Sequence, residues 1–189
     1  MAVPTEFTIQ NLSGKFTMNK SLSDSHDEIL RLQGIGWIKR RAIAVATITL
    51  SVNHYKDGNG VEHIDIDQTL TGGIPGTTER RTLDWTERET NDSLFGPVVG
   101  KSRRIKNLDE EIENEFMKKS WTNDTVEHGP VHSWVKSDTA KSGTSWLAEQ
   151  VWGVEEIDGE RRYARHVHFI GPGGEVIDAR LVYDYVGSM

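Results

Sequence analysis

The sequence predicts an all-β protein: an antiparallel up-and-down β-barrel of about nine or ten strands, with a helix-turn-helix lid after the first strand. Two observations carry that reading. From Thr47 onward, apolar and polar residues alternate in runs parted by Gly-, Asn- and Asp-rich turns at spacings of about 8 to 12 residues. Before that point, one stretch changes to a helical period. Strands joined mostly by tight hairpins favour a meander over a Greek key.

Phe7 to Met18 reads as a first strand that bends at Gly14. Ser23-Asp24-Ser25 offers N-cap oxygens, and Glu28 lies three residues after Ser25, the spacing of a capping box. Ile29, Leu30 and Leu32 give that helix an apolar face, and Gly34-Ile35-Gly36 ends it. Trp37 to Ala46 forms a second short helix, with Lys39, Arg40 and Arg41 toward water. A strand through Ile48 to His54 turns at Asp57-Gly58-Asn59-Gly60, where glycine and asparagine tolerate positive φ. Val61 to Leu70 follows, then a turn at Gly72 to Gly76, then strands over Thr77 to Thr86 and Leu94 to Ile105. Asn107 to Lys119, rich in Glu and Lys, reads as an inserted surface helix or a charged loop. Thr125 to Lys136, Trp146 to Glu155, Arg161 to Ile170 and Val176 to Val186 complete the strands. There is no internal repeat and no linker, so residues 1–189 are expected to form one domain.

Composition narrows the function classes. Hydrophobic residues make up 35% and charged residues 27%, a balance that suits a folded domain. The net charge of −7 disfavours nucleic acid and anionic membrane surfaces as partners. With no cysteine there are no disulfides, no thiolate metal sites and no cysteine nucleophile. The N-terminus lacks the basic and apolar regions of a secretory signal, and the stretch Ala42 to Val52 is too short to span a bilayer. A cytoplasmic protein, monomeric or weakly dimeric and without stable membrane insertion, is expected.

The order of strand, helical hairpin and long meander resembles the cytosolic fatty-acid-binding proteins, the intracellular branch of the calycins. Leu12-Ser13-Gly14-Lys15-Phe16 is similar to the opening strand of that family. Asp27 to Arg41, with Leu32-Gln33-Gly34-Ile35-Gly36, is similar to its lid, and Leu181-Val182-Tyr183-Asp184 to its closing strand. The resemblance implies a barrel around a small hydrophobic ligand, with the extra length near Asn107 to Lys119 and Ser137 to Gly143. It also implies an Arg-x-Tyr pair on the last strand for a fatty-acid carboxylate. Here the sequence departs. If Tyr183 takes the tyrosine place, Leu181 holds the arginine place, and Arg180 is one residue out of phase.

The C-terminal half holds the candidate ligand-binding residues. Trp146, Ala148, Gln150 and Trp152 share one strand face, two indoles around an amide. Tyr163, Arg165, Val167 and Phe169 share a face of the next strand, and an inward Arg165 would need a carboxylate, a ligand anion or water. Leu181, Tyr183 and Tyr185 share a face of the last. If the cavity is catalytic, Tyr183, Arg165 and His168 are the candidate groups. His166 and His168 have the spacing of two metal ligands, but no third ligand follows at matching spacing. An outward polar face is expected there, with no metal and no cofactor. His63, Asp65 and Asp67 read as the wet face of a strand, and Glu79-Arg80-Arg81 and Arg103-Arg104 as solvated charge clusters. No phosphate-binding loop and no Gly-x-Ser-x-Gly elbow is present.

Two functions follow. One is an intracellular binding protein that encloses a lipid or apolar metabolite. The other is a cofactor-free isomerase or cyclase of secondary metabolism, using the same cavity for acid–base catalysis on a hydrophobic substrate.

Overall fold

The computed structural model describes residues 1–189. Ten antiparallel strands form one nearly closed barrel: β1 (Gly14–Met18), β2 (Thr49–Lys56), β3 (Glu62–Leu70), β4 (Ile74–Thr82), β5 (Arg88–Asp92), β6 (Gly96–Arg104), β7 (Val131–Ser137), β8 (Leu147–Ile157), β9 (Glu160–Ile170) and β10 (Val176–Gly187). The sheet order is β4-β3-β2-β1-β10-β9-β8-β7-β6-β5, a meander in which β1 closes on β10 and the seam falls between β4 and β5. The expected all-β barrel and its strand number are therefore found. The helical hairpin also stands where expected, as α1 (Asp27–Leu32) and α2 (Trp37–Val45).

Local chemistry explains the lid. α1 buries Ile29, Leu30 and Leu32, and of these Ile29 and Leu32 close over Trp146, Val167 and Phe169 at one end of the barrel. The expected capping box does not form: His26 is the N-cap, and Glu28 instead takes a bidentate bond from Arg31. α2 buries no residue and leaves Trp37, Ile38 and Val45 in solvent. Arg40 ties it to Asp27 of α1 at 2.7 Å. Few buried contacts hold α2, so it is the low-stability half of the lid.

The opposite end is plugged by the N-terminal segment. The strand expected from Phe7 begins only at Gly14, because Phe7 to Asn11 turns back on itself, with the Phe7 and Asn11 amides donating to the Pro4 and Thr8 carbonyls. Val3, Phe7, Ile9 and Leu12 are buried there against Phe16, Leu50, Val52 and Ile64. Gly14 is required where β1 meets β10. Its φ is +147°, and a Cβ would sit 2.9 Å from the Tyr185 ring.

The expected insertion at Asn107 to Lys119 becomes two short helices, α3 (Leu108–Glu111) and α4 (Glu115–Lys118), and a third, α5 (Asn123–His128), follows it. The strand expected from Thr125 thus starts only at Val131. A further short helix, α6 (Thr139–Ser142), fills the β7–β8 connection, and β5 is a strand the alternation did not reveal. The insertion packs on the outer wall: Ile105, Ile112, Met117 and Trp121 cover Val151 and Ala164. This is why β8 carries the unbroken run Val151-Trp152-Gly153-Val154: both of its faces are buried. Gly153 is the contact point, since a Cβ there would meet Thr125 Cγ2 at 2.6 Å and the Trp121 ring at 2.7 Å. Gly153→Ala is expected to lower stability by about 1–3 kcal/mol through overpacking. Urea denaturation followed by Trp fluorescence checks this, and an unchanged midpoint would refute the contact.

Candidate active site

Between the lid and the plug lies a cavity of about 260 Å³. Its upper part is apolar, bordered by Ile29, Leu30, Ile43, Phe95, Val98, Trp146, Ala148, Val167 and Leu181. Its lower part is charged, and Arg165 is the centre.

Arg165 faces inward from β9, as its shared face with Tyr163, Val167 and Phe169 suggested, and is 5% exposed. Its Nη1 donates to Glu79 Oε1 at 3.0 Å and its Nε to the Tyr163 hydroxyl at 2.8 Å. The guanidinium lies 4.0 Å from the centre of the Trp152 ring, a cation–π contact. Its Nη2 is buried and has no protein partner. On the other side, Arg81 donates through Nε and Nη2 to Glu79 Oε2 at 3.2 and 2.8 Å. One carboxylate thus sits between two guanidinium groups, and the cluster carries one surplus positive charge.

Glu79 corrects the expectation of a solvated Glu79-Arg80-Arg81 cluster. Only Arg80 points outward, to Asp65 and Asp67; Glu79 and Arg81 line the cavity. The cause is a one-residue irregularity in the β3–β4 ladder. Near the turn Leu70 opposes Ile74, but beyond the shift between Asp67 and Thr69, Ile66 opposes Glu79 and Ile64 opposes Arg81. A residue opposite an inward isoleucine faces inward too. Arg104, also expected in solvent, is half-buried near the plugged end and pairs with Glu62, which accepts from His54 as well. Arg103 lies on the outer wall against Trp85, at 4.2 Å, and pairs with Glu111.

Burial pushes the Glu79 carboxyl up, but the charges and hydrogen bonds of Arg165 and Arg81 outweigh it and bring its pKa to about 2. Glu62 is governed likewise: burial raises it, and His54 and Arg104 bring it to about 2. Burial raises the hydroxyls of Tyr163 and Tyr183 above their ordinary value, so both stay protonated donors. Because both carboxyl pKa values are depressed on folding, their stabilisation is complete above about pH 4.5 and is lost as pH falls toward 2. Glu62→Gln is expected to flatten the loss of stability across that window, and urea midpoints measured at stepped pH check it. Identical slopes for the variant and the parent would refute the pairing.

The structure brings Trp146, Gln150, Arg165 and Tyr183 to the cavity wall. Trp152 and Tyr163 form the layer beneath it, both fully buried, with Trp152 Nε1 donating to Gln150 Oε1 at 2.8 Å. Tyr185 stands apart, packed with Phe7 and Phe16 at the plugged end. His168 is outside the barrel, bonded to Asp178 at 2.7 Å and to Asn114, so it does not reach the cavity that holds Arg165 and Tyr183. His166 also lies on the outer wall, buried under Trp121 and Phe116 with Glu155 at 3.2 Å. The two histidines thus go to separate carboxylates. No group of three or more metal-ligating side chains is found, and no helix is long and apolar enough to cross a membrane.

A ten-stranded meander with a helical lid and an internal cavity places the molecule in the calycin fold, among the barrels that include the fatty-acid- and lipid-binding proteins. The lipid-binding protein LBP-8 of Caenorhabditis elegans superposes with a TM-score of 0.57 at 10% identity, covering 92% of this chain and 94% of that one. A Schistosoma mansoni fatty acid binding protein in complex with arachidonic acid gives 0.52 at 14%, over 95% and 99%. Human cRBP IV gives 0.52 at 13%, over 93% and 98%. No family model matches the sequence. Whole-chain relatives are found elsewhere: pericyclase pydY of Acremonium sp is 31% identical over 194 residues, covering 99% of this chain and 98% of the relative. Probable pericyclase scpY of Mollisia scopiformis is 28% identical over 189 residues, covering 98% and 95%. The chain belongs to the family of pericyclase pydY.

Proposed function

We propose that this protein is a cofactor-free pericyclase, which folds one apolar, unsaturated substrate inside the barrel and releases an isomer of it. The observation that carries the reading is the full-length likeness to two proteins named as pericyclases, in a chain whose cavity joins an apolar chamber to a buried guanidinium. Such a reaction needs no proton to leave and no group to be transferred. In a cycloaddition, two π bonds of the substrate are replaced by two σ bonds, and every atom stays in the product.

Two physical effects are available. The chamber under Ile29, Trp146 and Val167 holds the reacting chain in a folded conformer, so the entropy of bringing its ends together is spent on binding. At the lower end, Arg165 donates a hydrogen bond to a carbonyl conjugated with the reacting π system. This draws electron density from that system and lowers the barrier, in a site where water does not compete. Glu79 and Tyr163 hold the guanidinium in place, and Trp152 supports it from beneath. The expected acid–base role of His168 has no place in this scheme, and Tyr183 serves as part of the wall. The absence of cysteine accords with a reducing compartment, and a cytoplasmic location is part of the proposal.

The binding-protein reading rests on the fold likeness to lipid-binding barrels and would use the same cavity. Turnover separates the two. The purified protein is incubated with linear polyenes that carry a conjugated carbonyl and a distant alkene, and products are followed by loss of polyene absorbance and by mass. A pericyclase gives one diastereomer of unchanged mass faster than buffer alone. Saturable binding with no conversion of any such substrate would leave a carrier.

A further inference from the structure

The chain has seven histidines. Five of them each pair with a carboxylate and His128 ends α5, and none of these six borders the cavity. His26 does. It is the N-cap of α1, at the lid end, and its ring makes no capping bond to the helix. Met18 of β1, Ile43 of α2, Ile48 ahead of β2, Gln68 of β3 and Leu181 of β10 line the cavity with it, and none of them is charged. Two charges bear on the ring: Asp27, the next residue of α1, and Lys20, whose ammonium donates to the Ala44 carbonyl of α2 at 2.6 Å. Asp27 also receives Arg40 at 2.7 Å, the contact that ties α2 to α1. Burial pushes the His26 imidazole below its ordinary value of 6.5; Asp27 opposes this and Lys20 adds to it.

We propose that His26 makes the lid a proton-sensitive gate: the neutral imidazole packs into the chamber and keeps the lid shut, and the imidazolium turns toward water and Asp27 and opens it. A charged ring among uncharged and mostly apolar neighbours lacks the partner that a buried charge requires. Turned toward Asp27, it competes with Arg40 and weakens the tie between the two helices. α2 buries no residue, so little else resists the opening. Because the imidazole value is depressed in the closed lid, the closed form is fully favoured above about pH 6.5 and loses that preference as pH falls through the depressed value. This window lies above the one in which the Glu62 and Glu79 pairs are lost, so the lid opens on a barrel that stays folded. The gate rests on the cavity being the ligand site, as proposed above. It adds acid-triggered exchange of the apolar ligand.

Amide hydrogen exchange reads the gate without a ligand. After correction for the intrinsic exchange rate, protection of the α1 and α2 amides is expected to fall at least about 3-fold between about pH 7.5 and about pH 5.5, while β8 and β9 stay protected. His26→Gln, uncharged at both values, is expected to hold the lid's protection constant to within about 1.5-fold. His26→Phe makes the same comparison and supplies the answer if the glutamine variant does not fold. Release of the neutral dye 6-propionyl-2-(dimethylamino)naphthalene, followed by stopped-flow mixing with excess phosphatidylcholine vesicles, is expected to speed up by the same factor in the parent alone. A parent lid whose protection does not change with pH overturns the gate, and so does a folded His26→Gln that keeps the full response. Neither measurement reads turnover. A protein that passes yet isomerises no polyene keeps the gate and loses the pericyclase reading; one that isomerises with a lid indifferent to pH does the reverse.

Discussion

Replacing Arg165 with methionine is expected to lower kcat/KM by about 100- to 1,000-fold, the effect of losing one preorganised donor in a water-poor site. The same change should cost about 3 kcal/mol of stability, because it leaves Glu79 buried with only Arg81 for a partner. The two effects can be separated. Arg165→Met with Glu79→Gln removes the buried charge that the single change strands, so stability should largely recover while turnover stays low. Thermal denaturation and initial rates on the same samples check both. A double variant with restored stability and parental turnover would remove Arg165 from the chemistry altogether.

Trp152→Ala is expected to cost about 3–5 kcal/mol, the range for truncating a large buried aromatic. Trp152 is fully buried and joins the core at the plugged end to the cavity. It also supports the Arg165 guanidinium at 4.0 Å and holds Gln150 through its Nε1. Phenylalanine at this position keeps most of the packing and a π face but loses the indole donor. It should therefore cost less than alanine and disturb Gln150 more than Arg165. Urea midpoints for the two variants rank these contributions. Equal losses for alanine and phenylalanine would mean that the indole N–H, and not the packed ring, is what the fold needs.

Most of the barrel was legible in the residue pattern, for identifiable reasons. β2 and β3 alternate cleanly, β8 to β10 are long runs rich in apolar residues, and their hairpins carry Asp, Asn and Gly at the turns. The break in period at Ser23 to Val45 revealed the lid. β5 was missed because Arg88–Asp92 has no apolar face: it lies at the seam and is largely exposed. Phe7 to Leu12 was misread because its buried apolar residues plug an end rather than line a strand, and a plug has no period.

The site divides in the same way. Arg165, Trp146, Gln150 and Tyr183 reach the cavity because they share faces with apolar neighbours on regular strands, and period alone decides such a face. Glu79 and Arg81 were not legible, because β4 beyond Ile74 and Pro75 is polar on both faces and offers no apolar residue there to reveal its inner side. A regular ladder continued from Leu70 opposite Ile74 would have turned Thr78 and Arg80 inward. The irregularity near Gln68 shifts the pairing by one and brings in Glu79 and Arg81 instead. The sequence by itself therefore determined the all-β class and the lid, and it named Arg165 as a candidate while leaving its direction open. Only the tertiary structure decided which carboxylate holds that arginine, because one extra residue in a hairpin reverses the faces of a strand and leaves its composition unchanged.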